Sequence, residues 1–281
     1  MKKLLIFIML SAIIIIVAYK KNTPAIVGNE AQKSPQNIWG AYTGNTDSTM
    51  FTFEKFVGNP TVVNAMFWGW NEAFPTTETG SQGKTLLLFW EPGFSYDRIN
   101  DSSRDAYITT FADNARDYGY PVILAPFDEP NLNEEVWGNG IGTNTPQRFI
   151  TAWKRVHDIF VAHQATNVKF ALVYNNETLP SGRFVDFYPG DTYVDYVGID
   201  GFNFGAGGPG GTKTFAQVFD SALVEAGAFS KPLWITSVGS AMPQSQFIYD
   251  LGARGLPWIW FNQSPFELDS ASLPAFQQII Q

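Results

Sequence analysis

Eight short apolar runs rich in β-forming residues, each closing on polar or aromatic residues, constrain this chain more than anything else in it. They cover 38–43, 61–70, 84–90, 121–127, 167–174, 193–199, 231–236 and 257–261. Stretches with helical spacing fall between most of them, at about 47–57, 102–117, 145–163, 214–229, 244–253 and 272–281. Apolar strands alternating with helices inside 37–281, with no gap large enough for a second domain, predict an α/β fold. The count is that of a single (β/α)8 TIM barrel, with a doubly wound open sheet as the alternative. In the barrel the functional face is the C-terminal ends of the strands.

Local signals agree with this order. Thr145-Pro146 supplies an N-cap and a first-turn proline, and Thr214 with Gln217 forms a capping-box pattern. Ser102-Ser103-Arg104-Asp105 resembles another. Phe149, Trp153, Val156, Phe160 and His163 share one helical stripe, which makes His163 a packing or edge residue. The run Gly205-Ala206-Gly207-Gly208 lacks the following helix and the acidic partner of a dinucleotide site.

The N-terminus stands apart. Lys2 and Lys3 precede an apolar run over 4–19, closed by Lys20 and Lys21. As a helix it would reach ~24 Å, short of a bilayer core of ~30 Å, although flanking lysines can snorkel. Residues 1–21 therefore read as a signal peptide or a membrane anchor and 22–36 as a linker. The barrel is then exported, either secreted or held at the outer face of the cytoplasmic membrane.

Composition removes several chemistries. There is no cysteine, so thiolate nucleophiles, disulfides and cysteine-held metals are excluded. The two histidines, His157 and His163, sit in one predicted helix away from any strand end, which leaves neither a Ser-His-Asp site nor a histidine-rich metal site. A net charge of -8 without a basic cluster beyond the N-terminus argues against nucleic acid as a partner. No motif implies a metal or an organic cofactor, and the barrel is expected to be a monomer. Catalysis, if present, falls to carboxylates.

The strand ends carry them. The run 121–127 stops at Asp128-Glu129-Pro130-Asn131, followed by Trp137-Gly138, so that two acids emerge where the strand ends. The other ends offer Trp70, Trp90, Glu91, Asn175, Asp200, Asn203 and Asn262. Acids and amides suit hydroxyl groups and tryptophan faces suit sugar rings, the furniture of a carbohydrate cleft. Trp70, Trp90 and Trp137 are the candidate sugar platforms, with Asn131, Phe202, Asn203 and Asn262 as further contacts.

Three blocks in order sharpen this. Asp128-Glu129-Pro130-Asn131 with Trp137-Gly138, Tyr188-Pro189-Gly190-Asp191 through Gly198-Ile199-Asp200-Gly201-Phe202-Asn203, and Lys231-Pro232 with Gly239-Ser240 resemble glycoside hydrolase family 26. That family comprises β-mannanases and some related β-glucanases and β-xylanases. The likeness runs from about Trp39 to about Asn262. It implies a retaining mechanism with a general acid/base on strand four, matched by Glu129, and a nucleophilic glutamate on strand seven. Retention needs the two carboxyls about 5–5.5 Å apart.

At the nucleophile position this chain carries Ser237, and Asp128 stands where the family has histidine. Ala125 and Phe202 likewise replace an arginine and a tyrosine of the pattern. A serine without an adjacent base is a weak nucleophile. Glu91, Asp128 and Asp200 are the alternative carboxylates, and Glu91 or Asp200, at strand ends three and six, would serve an inverting reaction if about 6.5–9.5 Å from Glu129. Two functions follow: hydrolysis of a β-linked polysaccharide or oligosaccharide with Glu129 as general acid/base, or a catalytically impaired pseudo-glycosidase that binds an extracellular or cell-surface polysaccharide.

Overall fold

The computed structural model describes residues 38–76, 83–177 and 182–281. The segments 1–21 and 22–36 lie outside the described residues. Eight parallel strands close into a barrel in simple sequence order. They are β1 (Trp39–Tyr42), β2 (Val63–Gly69), β3 (Thr85–Glu91), β4 (Val122–Pro126), β5 (Val168–Asn175), β6 (Tyr196–Asn203), β7 (Leu233–Ser240) and β8 (Trp258–Phe261). Pairing of β1 with β8, from Trp39 beside Trp258 to Tyr42 beside Phe261, shuts the ring and rules out the open sheet. Closure leaves no unpaired strand edge.

Helices α1 (Asp47–Val57), α2 (Asp97–Asn100), α3 (Asp105–Tyr118), α4 (Pro146–Ala162), α5 (Phe215–Ala226), α6 (Ser245–Gly252) and α7 (Leu273–Ile279) lie in the connections. Thr145 caps α4 by accepting the Arg148 amide, and Thr214 and Gln217 cap α5 reciprocally, as the sequence predicts. The pattern at 102–105 forms no such box. Arg104 is the N-cap of α3 without a side-chain bond, and Ser102 takes a left-handed φ of 72°. Among the described residues the β5–β6 connection holds two 3-10 turns, Phe184–Phe187 and Asp191–Tyr193, in place of an α-helix. The α4 stripe is buried at Phe149, Trp153, Val156 and Phe160, while His163 follows the helix end beside Asp113.

Two apolar clusters divide the strands' side chains by parity. Val63, Ala65, Leu87, Phe89, Ile123, Ala125, Ala171, Val173, Trp234 and Ile259 fill the barrel, with Tyr42 and Phe67 partly buried at its upper end. The alternate residues, among them Trp90, Leu124, Tyr174, Ile199 and Trp260, pack outward under the helices. The same alternation directs Glu91, Asn175, Asp200 and Phe202 toward the barrel axis near the strand ends.

Candidate active site at the barrel mouth

The end of β4 departs from that alternation, and the departure builds the site. Phe127 should follow Ile123 and Ala125 inward, but its φ of 57° turns it into the outer shell. There its ring lies 5.5 Å from Tyr96 and 5.7 Å from Trp70. Glu129 is left-handed as well, with φ 52°. Non-glycine residues held in this region cost about 1–3 kcal/mol each and cluster at functional sites. Pairing survives both kinks, since the Phe127 amide donates to Trp90 O and the Glu129 amide to Val173 O. A carboxyl side chain thus stands at the floor of the mouth on backbone fixed from both neighbouring strands.

Asn131 locks the loop that follows. Its Oδ1 accepts the Asn175 amide and its Nδ2 donates to the carbonyls of Asn175 and Glu177, at 2.9–3.0 Å. Asn175 Nδ2 then donates to Glu129 Oε1 at 2.8 Å. Trp137 Nε1 donates to the Asp128 carbonyl at 2.9 Å.

Four carboxyls gather here: Glu91 on β3, Asp128 and Glu129 after β4, and Asp200 on β6. Burial is the largest influence on each and disfavours charge. Glu129 is raised to about 7, by burial and then by Glu134, Glu135 and Glu91, against the opposing bond from Asn175. Glu91 also reaches about 7, through burial and Glu135. Asp128 lies well above the carboxylate range, through burial and the charges of Glu91, Glu129 and Asp200, and its buried Oδ1 has no hydrogen-bond partner among the described residues. Asp200 is also well raised, by burial and Glu129, although Thr236 Oγ1 donates to its Oδ1 at 2.6 Å.

A bulge in β7 sets Thr236 in that position. Ile199 pairs with Ile235 but Asp200 with Ser237, so that β7 carries one extra residue. Gly198 makes room, since a Cβ there would lie 2.5 Å from the Thr236 side chain. Ser237 itself is only 2% exposed.

Several expected sugar contacts are corrected by burial. Trp90 is wholly buried between Trp70 and Phe111, with ring centroids 4.1 Å away on both sides, so neither face is free. Trp70 and Trp137 are each 4% exposed and belong to the outer core. Trp70 follows β2, and Trp90 has the outward parity of β3. Asn131 is committed to the backbone contacts above. Asn203, also buried, donates to Ser240 Oγ and accepts the Gly205 and Lys213 amides, tying down the glycine-rich loop.

Asn262 and Phe202 remain half-buried at the rim. Asn262 Oδ1 accepts the Leu268 amide, and the Phe202 ring stacks on Phe266 at 4.8 Å. Accessible aromatic surface is offered instead by Tyr42, Phe67, Phe202 and Phe261, all half-buried, and by the exposed Phe204 beside Phe202. Tyr42 contacts Phe67 and Phe261 at 4.8 and 5.0 Å. Tyr42, Phe67 and Phe261 were legible only through strand parity, and Asn175 only as an amide at a strand end.

Comparison with known proteins agrees with the barrel fold. Residues 10–271 match the family model described as Glycosyl hydrolase family 26. Endoglucanase H of Acetivibrio thermocellus is 30% identical in a 234-residue alignment that covers 78% of this chain. The chain spans about a quarter of that relative, the matched part being 25% of its length. Among solved structures, the GH26 domain of a Prevotella bryantii endo-β-mannanase/endo-β-glucanase superposes with a TM-score of 0.65 at 13% identity, covering 87% of this chain and 88% of that one. The Bacillus subtilis mannanase BCman gives 0.60 at 18% identity, covering 85% and 84%. These structures share the fold.

Proposed function

The chain belongs to glycosyl hydrolase family 26, and we propose that its barrel hydrolyses O-glycosidic bonds of a β-linked polysaccharide with Glu129 as the general acid. The observation that carries this is Glu129 itself: half-buried at the mouth, oriented by Asn175, and raised to about 7. A carboxyl with that value keeps a proton near neutrality and can hand it to the glycosidic oxygen as the bond to the anomeric carbon breaks. The relatives' names, an endoglucanase and endo-β-mannanases, make β-glucan and β-mannan the first substrates to try. Such polymers are met outside the cell, in keeping with the apolar segment within 1–21 acting as an export signal or anchor.

Ser237 favours a second reading, binding without cleavage, because β7 offers no carboxyl anywhere in Leu233–Ser240. One experiment separates the two. The protein is incubated with mannan and with mixed-linkage β-glucan, beside Glu129→Ala, and new reducing ends and polymer binding are both measured. Cleavage abolished in Glu129→Ala supports the hydrolase; binding without new reducing ends supports the binding module.

A further inference from the structure

We propose that this barrel cleaves β-linked N-acetylhexosamine chains with the substrate's own acetamido oxygen as the nucleophile, held in place by Asp128. The inference rests on Glu129 being the acid, as proposed above, and it keeps the retained configuration that the family resemblance implies.

Retention needs a nucleophile on the face of the sugar opposite the leaving group, and β7 supplies none. It holds no carboxyl over Leu233–Ser240, and the histidines that could activate Ser237 lie in α4 and at its end, as His157 and His163. A substrate can bring the missing group. An acetamido at C2, trans to the glycosidic oxygen, reaches the anomeric carbon from the required face, which is the substrate-assisted route to retention. The C2 hydroxyl of a plain glucan or mannan is a weak nucleophile without a base.

Such a route asks for a carboxyl beside the acid, not across the mouth from it. Asp128 directly precedes Glu129, and the charges acting on it are Glu91, Glu129 and Asp200, so it stands among the other mouth carboxyls. It is 6% exposed, and its Oδ1 meets no hydrogen-bond donor among the described residues. Buried acceptors in folded proteins are nearly always met, and an unmet one at a site is accounted for by a donor that arrives with the ligand. The N–H of an acetamido group is that donor. Once it is held, the carbonyl oxygen of the same group is fixed against the anomeric carbon. Two departures from the family pattern then share one explanation: the nucleophile has left β7 at Ser237, and the group that orients its replacement stands at Asp128.

The rest of the mouth suits this sugar. The half-buried rings of Tyr42, Phe67, Phe202 and Phe261 offer apolar surface to the acetamido methyl. The charges that act on Glu91, Asp128, Glu129 and Asp200 are those of other glutamates and aspartates. A cation formed among them favours their ionised forms and is stabilised in return.

That cation is the intermediate. The acetamido oxygen gives an electron pair to the anomeric carbon from the α face while the bond to the glycosidic oxygen breaks. The departing oxygen keeps the bonding pair and takes the proton of Glu129. An oxazolinium ring results, its positive charge shared with the nitrogen whose N–H Asp128 accepts. Water then attacks the anomeric carbon from the β face and loses a proton to Glu129, and the ring bond breaks with its electron pair returning to the acetamido oxygen. Two inversions restore the β configuration, Glu129 regains its proton, and no bond to Ser237 forms.

The test gives the full chain β-linked oligosaccharides of N-acetylglucosamine and of N-acetylgalactosamine, beside mannan and mixed-linkage β-glucan. The acetamido substrates should be cleaved with the β-anomer appearing first by NMR. With aryl glycosides whose reacting sugar carries acetyl, fluoroacetyl, difluoroacetyl or trifluoroacetyl groups, kcat should fall at each added fluorine, because fluorine withdraws electrons from the attacking oxygen. Asp128→Asn should lower kcat by about 100-fold or more with little change in KM. Cleavage of mannan or β-glucan without cleavage of the acetamido substrates would overturn substrate assistance and leave Glu129 in place. A first-formed α-anomer, rates indifferent to fluorine, or an undiminished kcat in Asp128→Asn would do the same. Absence of cleavage of every one of these substrates by the unaltered protein would overturn both.

Discussion

Asn175 Nδ2 lies 2.8 Å from Glu129 Oε1, so the amide that ends β5 donates to the acid that follows β4. A donor of this kind favours the ionised carboxylate, and hydrogen bonds to charged groups contribute about 1.5–3 kcal/mol. Asn175 therefore works against burial and against the neighbouring glutamates, which push the same group up. The acid is poised by opposing influences, and Asn175 is the one that lowers its pKa.

Asn175→Ala should accordingly raise the Glu129 pKa further. The alkaline limb of the kcat/KM profile, where the acid loses its proton, should move to higher pH, and a carbon-13 titration of the Glu129 carboxyl should move the same way. An unchanged limb together with an unchanged titration would mean that the amide only braces the loop.

The carboxyl cluster also fixes how stability depends on pH. A carboxyl whose folded pKa exceeds its unfolded value binds more protons in the folded state between those two values. Stability then falls as pH rises through that window. For Glu129, raised from an ordinary 4.5 to about 7, this amounts to ~3 kcal/mol lost between roughly pH 4.5 and 7. Glu91, Asp128 and Asp200 add in the same direction. Thermal melts should give a lower Tm at pH 8 than at pH 5.5, and Glu129→Gln should reduce that difference by raising the Tm at pH 8. Equal melting temperatures for the unaltered protein at the two values would contradict a cluster held this far from ordinary.

How much of this was legible in the sequence follows from what each element depends on. The eight strands and the caps at Thr145 and Thr214 are local patterns, set by alternation and by side chains within four residues, and they appear as expected. Glu129 was readable as a strand-end acid that reaches the mouth, whereas Asp128, expected to emerge beside it, stays buried at 6% exposure. The tryptophans were misread because a strand-end position does not reveal which side of the barrel a residue faces. Trp90 has outward parity, and Trp70 docks over it after β2 has ended. The flip of Phe127 and the bulge at Thr236 are further departures from regular alternation, imposed by packing against distant segments. No local spacing encodes them, and they determine which acids share the mouth.

That correction gives a direct expectation for Trp90. If its ring were a sugar platform, Trp90→Ala would weaken oligosaccharide binding and leave the fold intact. Fully buried and stacked on both faces, it should instead behave as a core residue, and removing a buried aromatic of this size costs ~3–5 kcal/mol. Urea unfolding of Trp90→Ala should show a midpoint lowered by that amount of stability, or a protein that does not fold. Phe111 and Trp70 would be left facing a void, since Trp90 fills the space between them, so little of the loss should be recovered by collapse. Unchanged urea stability with reduced sugar affinity would place the Trp90 ring back in the cleft.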